Sequence, residues 1–245
     1  FGKILDYFDE KNLWEDTALI VSTDHGFMLA EHGWWAKSRM PFYEEISHIP
    51  LMISHPDFKN EFGSRRKSLT QTIDLMPTIL DINNIKVPNS VEGKSLIPVI
   101  ANDKSIRKGA LFGRFGAATN FTDGRYTYFR YPNDLEKVKL WEYTLMPTHQ
   151  TSMFEKEEFN DASLSNSFAF MRGFPVLKLP ADKSKVKGQG SKIEETNTVL
   201  YDLFNDPKQL NPILDERVEQ TIISTMKTLM ISNEAPKEAF NRLDF

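Results

Sequence analysis

Thr17 to Thr23 reads TALIVST, a short, nearly unbroken apolar run that stops at Asp24-His25-Gly26. It is too short for a helix and lacks polar alternation, so it reads as a strand buried on both faces of a parallel sheet. Ile49 to Ser54 (IPLMIS) is a second such run. The segment between them is too long for a turn and too rich in reactive side chains for a passive loop. Two buried strands of this kind point to an α/β architecture, in which ligands bind beyond the carboxyl ends of the strands.

Around these runs the pattern is helical. Gly2 to Asn12 is amphipathic, with Ile4, Leu5 and Phe8, then Leu13 and Trp14, at helical spacing. Asp74 to Ile82 (DLMPTILDI) reads as a helix that Asp74 caps, with Pro77 tolerated in its first turn and Asn83-Asn84 ending it in the left-handed conformation. From about Lys108 the texture changes. Ala110 to Phe121 and Arg125 to Tyr131 read as two strands joined by a tight Thr122-Asp123-Gly124 turn, with Val138 to Tyr143 and Val199 to Phe204 as a third and fourth. A turn at Pro132-Asn133-Asp134 precedes the third strand, and the lysine-, glycine- and serine-rich stretch 181–197 reads as an exposed loop. The last helix is capped by Asn211 and opened by Pro212, carries an apolar stripe of Leu214, Val218, Ile222, Met226 and Leu229 or Met230, and ends before Pro236. Residues 1–105 thus form an α/β portion, and residues 106–245 an α+β portion with antiparallel strands and a C-terminal helix.

Bulk properties exclude several classes. A formal charge of −4 over 245 residues gives no electrostatic reason for a nucleic-acid partner. No apolar run reaches the roughly 18 residues of a membrane span. The absence of cysteine removes disulfides, thiolate metal sites and cysteine-derived nucleophiles from this chain. The chain opens on Phe1 within a helical pattern, so the natural N-terminus is expected upstream; compartment and oligomeric state stay open.

Asp24 offers a hard anionic oxygen and neutral His25 a nitrogen, a mixture that suits Mn²⁺, Zn²⁺ or Fe somewhat better than Ca²⁺. An isolated Asp-His-Gly serves equally well as a helix cap beside a packed histidine. His32 and Lys37, a second imidazole and a cation on the same loop, move the reading toward a site for a metal ion and a multiply charged oxyanion.

The ordered motifs resemble the sulfatase family of the alkaline-phosphatase-like superfamily. Thr23-Asp24-His25-Gly26, Leu29, Glu31-His32-Gly33, Trp35, Lys37, Tyr43-Glu44-Glu45 and Ile49-Pro50-Leu51 follow its pattern. So do Asp74 to Asp81, Glu92-Gly93-Lys94-Ser95-Leu96, Asp123 to Tyr128, Leu200-Tyr201-Asp202-Leu203 and Asp206-Pro207. The match runs along nearly the whole chain except an insert at about 144–197. The resemblance implies the C-terminal part of an alkaline-phosphatase-like mixed sheet flanked by helices, followed by the small antiparallel subdomain. It also implies a metal-dependent hydrolysis of sulfate esters. Asp24 and His25 would be metal ligands, usually of Ca²⁺, and Lys37 would bind the sulfate and steady the departing oxygen. The insert is either a structural loop or a carrier of His149 or Arg172 to the mouth of the substrate pocket.

The departures matter too. The paired aspartates and the C/S-x-P/A-x-R motif, whose Cys or Ser becomes the formylglycine nucleophile, are absent, as are the usual further Lys and His. His48 stands where the family usually has Arg before V-P-L. The chain is therefore expected to be the C-terminal portion of such an enzyme, inactive without the N-terminal half that supplies formylglycine. The alternatives are a phosphodiester or phosphonate monoester hydrolase of the same superfamily, which Asp-His-Gly keeps open, and a non-catalytic binding module.

Overall fold

The computed structural model describes residues 1–37, 41–133, 139–146, 148–149, 151–181 and 197–245. Helix α1 (Gly2–Lys11) turns its Phe8 inward, where it packs on Trp14, and Asn12 ends it at φ 52°. Strand β1 (Leu19–Ser22) follows. The short strands β2 (Met28–Leu29) and β3 (Trp35–Ala36) pair with each other, and α2 (Glu44–Ser47) leads into β4 (Leu51–Ser54). β1 and β4 pair with each other in antiparallel register, Leu19 opposite Ser54 and Ser22 opposite Leu51. This corrects the expectation of strands buried on both faces of a parallel sheet. Neither strand is fully buried, and Met52 is 56% exposed. An apolar run reports the burial a strand can use, not the direction of its partner.

Helix α3 (Leu75–Ile82) ends through Asn83 and a left-handed Asn84. Asp74 does not cap it in the expected way. Its carboxylate turns back to the Gln71 N–H and outward to the Lys94 N–H and the Arg107 guanidinium, because a fully buried charge needs a cation as well as dipoles. Helix α4 (Ile97–Asn102) packs against α3.

Strands β5 (Ala110–Gly113), β6 (Thr119–Thr122) and β7 (Tyr126–Arg130) form a meander. The stretch 110–121 is thus two strands rather than one. Gly113 (φ 146°) and Gly116 (φ 79°) turn the chain between them, where glycine alone carries no steric penalty. The Asp123-Gly124 turn forms as expected, with the Asp123 carboxylate accepting from the Arg125 and Tyr126 N–H groups.

Strand β8 (Trp141–Thr144) joins β9 (Ser163–Ser165) and β10 (Val176–Pro180) in a separate sheet of order β8-β10-β9. These last two strands lie inside the insert, where none was expected. The start of the anticipated 138–143 strand, Asp134 of the preceding turn and most of the 181–197 loop lie outside the described residues. Strand β11 (Val199–Asp202) pairs with β7, giving a four-stranded sheet of order β11-β7-β6-β5.

Helix α5 (Glu216–Ser232) starts later than Asn211 and Pro212 suggest. Asp215 is the true cap, accepting from the N–H groups of Arg217 and Val218. Asn211 instead donates its N–H to Asp206, and Ile213 bridges to Leu200. Leu214 consequently faces solvent. The rest of the stripe behaves as expected. Ile222 and Met226 pack on Phe121, Tyr128 and Leu200, with Val218 and Leu229 at the margin. Beyond Pro236 a final helix, α6 (Lys237–Arg242), follows rather than a simple stop.

A second cluster (Ala118, Phe129, Tyr131 and Tyr201) carries Tyr43 against it. Tyr43 meets Phe129 and Tyr201 edge-on, so the segment leading into α2 rests on the four-stranded sheet.

Candidate functional site

The site grows from the end of β1. After Ser22 the chain enters Asp24-His25-Gly26 and passes close under α2. The Gly26 N–H donates to the Ile46 carbonyl at 2.9 Å, and a Cβ on Gly26 would lie 1.7 Å from the Glu45 carbonyl oxygen. Only glycine permits that approach. The contact fixes the preceding two residues against the start of α2.

Within the turn the Asp24 side chain is 79% exposed. Its Oδ1 accepts from the His25 N–H at 3.1 Å and from the Thr23 hydroxyl at 3.3 Å. Partial desolvation pushes the carboxyl upward, but the backbone N–H groups, the His25 ring and the Thr23 hydroxyl outweigh it and hold it below the ordinary carboxylate range. The His25 Nδ1 lies 2.9 Å from the Gly26 carbonyl oxygen. A carbonyl only accepts, so Nδ1 carries a hydrogen at that contact. That Nε2 stands 3.2 Å from Asp24 Oδ2. An anionic oxygen and an imidazole nitrogen thus converge, with the ring orientation set by a backbone carbonyl, as in histidines that ligate metals.

The donor chemistry fits a divalent cation held by mixed oxygen and nitrogen. Among the described residues there is no group of three or more His, Cys, Asp or Glu side chains able to hold a metal. Asp24 and His25 would therefore be part of a larger set.

The β2–β3 hairpin carries the rest of the loop. Glu31 closes it by accepting from the Leu29 N–H, which also depresses the Glu31 carboxyl. His32, in left-handed backbone at φ 51°, stacks on Tyr43 with ring centroids 3.6 Å apart and planes 3° from parallel. Its Nε2 lies 3.9 Å from Glu45 Oε2. His32 is therefore a packed histidine that joins the hairpin to α2. Lys37 sits one residue beyond β3 after left-handed Ala36, exposed and without an ion pair among the described residues. The N-terminus of α2 is held from a distant part of the chain, where Gln209 Oε1 accepts from the Glu44 N–H at 2.7 Å. Gln209 is almost wholly buried, a supporting role the sequence motifs did not single out.

His149 has a different setting. Its Nε2 is 2.6 Å from Glu158 Oε1, its Nδ1 is 3.9 Å from Glu142 Oε2, and its ring meets Phe154 edge-on. Its Nε2 is thus already engaged beside β8. Arg172 instead lines a cavity with the 86–92 loop.

Residues 30–167 match the family described as N-sulphoglucosamine sulphohydrolase, C-terminal. An N-acetylglucosamine-6-O-sulfatase from Bacteroides thetaiotaomicron is 28% identical over 170 residues, covering 64% of this chain and 30% of the relative. The arylsulfatase K of Rattus norvegicus is 34% identical over 110 residues, covering 43% of this chain and 19% of its own length. This chain thus spans less than a third of these relatives. A protein solved in complex with its substrate D-glucosamine-2-N,6-O-disulfate superposes on 97% of this chain with a TM-score of 0.58 at 18% identity, over 38% of its own length. At that identity the likeness speaks for the fold.

Proposed function

The chain belongs to the N-sulphoglucosamine sulphohydrolase C-terminal family of sulfatases, and from that premise we propose that it serves a metal-dependent hydrolase of carbohydrate sulfate esters as its C-terminal portion. The observation that carries this reading is the convergence of Asp24 Oδ2 and His25 Nε2 at 3.2 Å, with the ring locked by the Gly26 carbonyl. A relative named N-acetylglucosamine-6-O-sulfatase favours a sulfated amino sugar as substrate.

In this proposal Asp24 and His25 are two of the metal ligands. A divalent cation, Ca²⁺ by family habit and Mn²⁺ or Zn²⁺ by donor chemistry, would neutralise sulfate oxygens and the nucleophile. The Lys37 ammonium donates to a sulfate oxygen and to the ester oxygen as it takes up charge on leaving. Gly26 and the buried Gln209 keep the turn and α2 in place. His149 would contact substrate by exchanging Glu158 for a sulfate oxygen. The division into subdomains at residue 105 belongs to the same reading, as does a formylglycine contributed from upstream.

The test is hydrolysis of an aryl sulfate by the full-length protein, with and without chelator, beside an aryl phosphonate. Chelator-sensitive sulfate cleavage that is lost in Lys37→Ala is the expected result. A preference for the phosphonate, or cleavage indifferent to Lys37, overturns it.

A further inference from the structure

A cavity of about 510 Å³ opens between the 86–92 loop, which follows α3, and the 169–172 turn that precedes β10. Its walls include Lys86, Asn89, Ser90, Glu92, Phe170 and Arg172, and it shares no lining residue with the Asp24–His25 turn, Lys37 or His149.

The chain builds both sides firmly. Left-handed Asn84 ends α3, and the Val91 N–H closes a turn onto the Pro88 carbonyl. On the other side Arg172 (φ 55°) and Gly173 (φ 86°) reverse the chain. The Gly173 N–H donates to the Ser167 hydroxyl at 3.1 Å, and the Ala169 N–H donates to the Glu234 carboxylate at 2.7 Å. Phe168 and Phe170 lie in parallel planes with centroids 5.6 Å apart, and Phe168 meets Tyr143 edge-on. The Phe170 ring is thereby held in place while remaining 49% exposed.

The electrostatics are unbalanced. The side chains of Lys86 and Arg172 make no hydrogen bond or ion pair among the described residues, and among those residues the only acidic side chain on the cavity wall is Glu92. Two unpaired cations around a hollow of this size favour an anion. An aromatic face beside amide and hydroxyl groups favours a ring that is apolar on one face and hydroxylated at its rim.

We propose that this cavity is a binding site for a sulfated sugar unit, separate from the unit whose ester is cleaved. For its ligand class the proposal rests on the carbohydrate-sulfate reading above. The Arg172 guanidinium forks onto two sulfate oxygens and Lys86 supplies a second charge. Asn89 and Ser90 bond ring hydroxyls, Glu92 accepts from one, and Phe170 underlies the sugar ring. The volume lies in the range of small-molecule sites, about 300–1,000 Å³.

The test is calorimetric titration of the full-length protein with a defined, fully sulfated glucosamine-containing tetrasaccharide, beside its desulfated counterpart. The wild type should bind the sulfated form, with affinity falling as salt rises. Lys86→Gln/Arg172→Gln should weaken it about ten- to a hundredfold, Lys86→Arg should retain it, and Phe170→Ala should weaken both probes. Hydrolysis of a small aryl sulfate should be unchanged in all three variants, because none of the residues placed at its site lines this cavity. Unaltered tetrasaccharide affinity in the double variant, or equal binding of the desulfated probe, overturns the proposal. If the wild type cleaves no sulfate ester yet binds the tetrasaccharide through Lys86 and Arg172, the activity proposed above fails and this site stands.

Discussion

Two aspartates, Asp24 and Asp74, look alike in the sequence, each with the chemistry of a helix cap. Their surroundings make them opposites. Asp74 is completely buried, and its two oxygens accept from the Gln71 and Lys94 N–H groups and from a paired Arg107 guanidinium. Asp24 is 79% exposed, and its Oδ2 lies 3.2 Å from the Nε2 of His25. The first carboxylate has used its bonding capacity on the fold. The second holds part of it in reserve at the end of a strand, where a ligand can use it.

The largest expected effect falls on the second. If Asp24 ligates the metal as proposed, Asp24→Ala in the full-length protein should reduce chelator-sensitive turnover about a hundredfold or more. Thermal stability without added metal should scarcely move, since the side chain contributes little to packing. Metal titration followed by calorimetry separates the two. A large fall in melting temperature with unchanged metal affinity would erase the contrast between the two aspartates.

Asp74→Ala should do the reverse. Removing one partner of a buried pair leaves Arg107 charged and unpaired, at a cost of about 3–5 kcal/mol, read by denaturant unfolding. The pH dependence has a definite sign. Burial pushes the Asp74 carboxyl up, but Arg107 and the two N–H groups outweigh it and hold it below the ordinary range. Its stabilisation is fully present above the unfolded-state value and is lost as pH falls through the lower folded value. Acid unfolding should therefore shift to higher pH once the Arg107 partner is removed.

These two sites also mark what the sequence discloses. Asp24, His25 and Lys37 lie within one short loop, so their chemistry can be read from their order. The Asp74–Arg107 pair spans 33 positions and the Glu44–Gln209 contact spans 165, and nothing local in either segment names its partner. The antiparallel sense of β1 and β4 was hidden for a similar reason, because apolar runs of either sense look the same. The start of α5 escapes the sequence for another. Asn211 and Pro212 have the chemistry of a helix start, but Asp206 and Leu200 capture the residues there, and Asp215 does the capping.

Gly26→Ala probes the link between fold and site. A Cβ 1.7 Å from the Glu45 carbonyl forces the turn and α2 apart, costing about 1–3 kcal/mol. Turnover should fall by more than that loss of stability explains, because Asp24 and His25 move with the turn. Comparing activity with the folded fraction at low temperature checks this.

The smallest effect belongs to His48, which stands beside the site without entering it. Its Nδ1 lies 2.7 Å from Glu44 Oε2, and that hydrogen bond raises the imidazole above its ordinary 6.5 against the opposing pull of desolvation. A raised folded value means the pairing stabilises fully below the unfolded-state value and fades as pH climbs through the folded one. Because the ring is 78% exposed, solvent screening keeps the contribution under about 1 kcal/mol. His48→Gln should therefore lower the melting temperature slightly at pH 5.5 and leave it unchanged at pH 8.5. A larger loss at pH 8.5 than at pH 5.5 would mean that His48 acts through packing in its neutral form, and the line between spent and available groups around α2 would have to be redrawn.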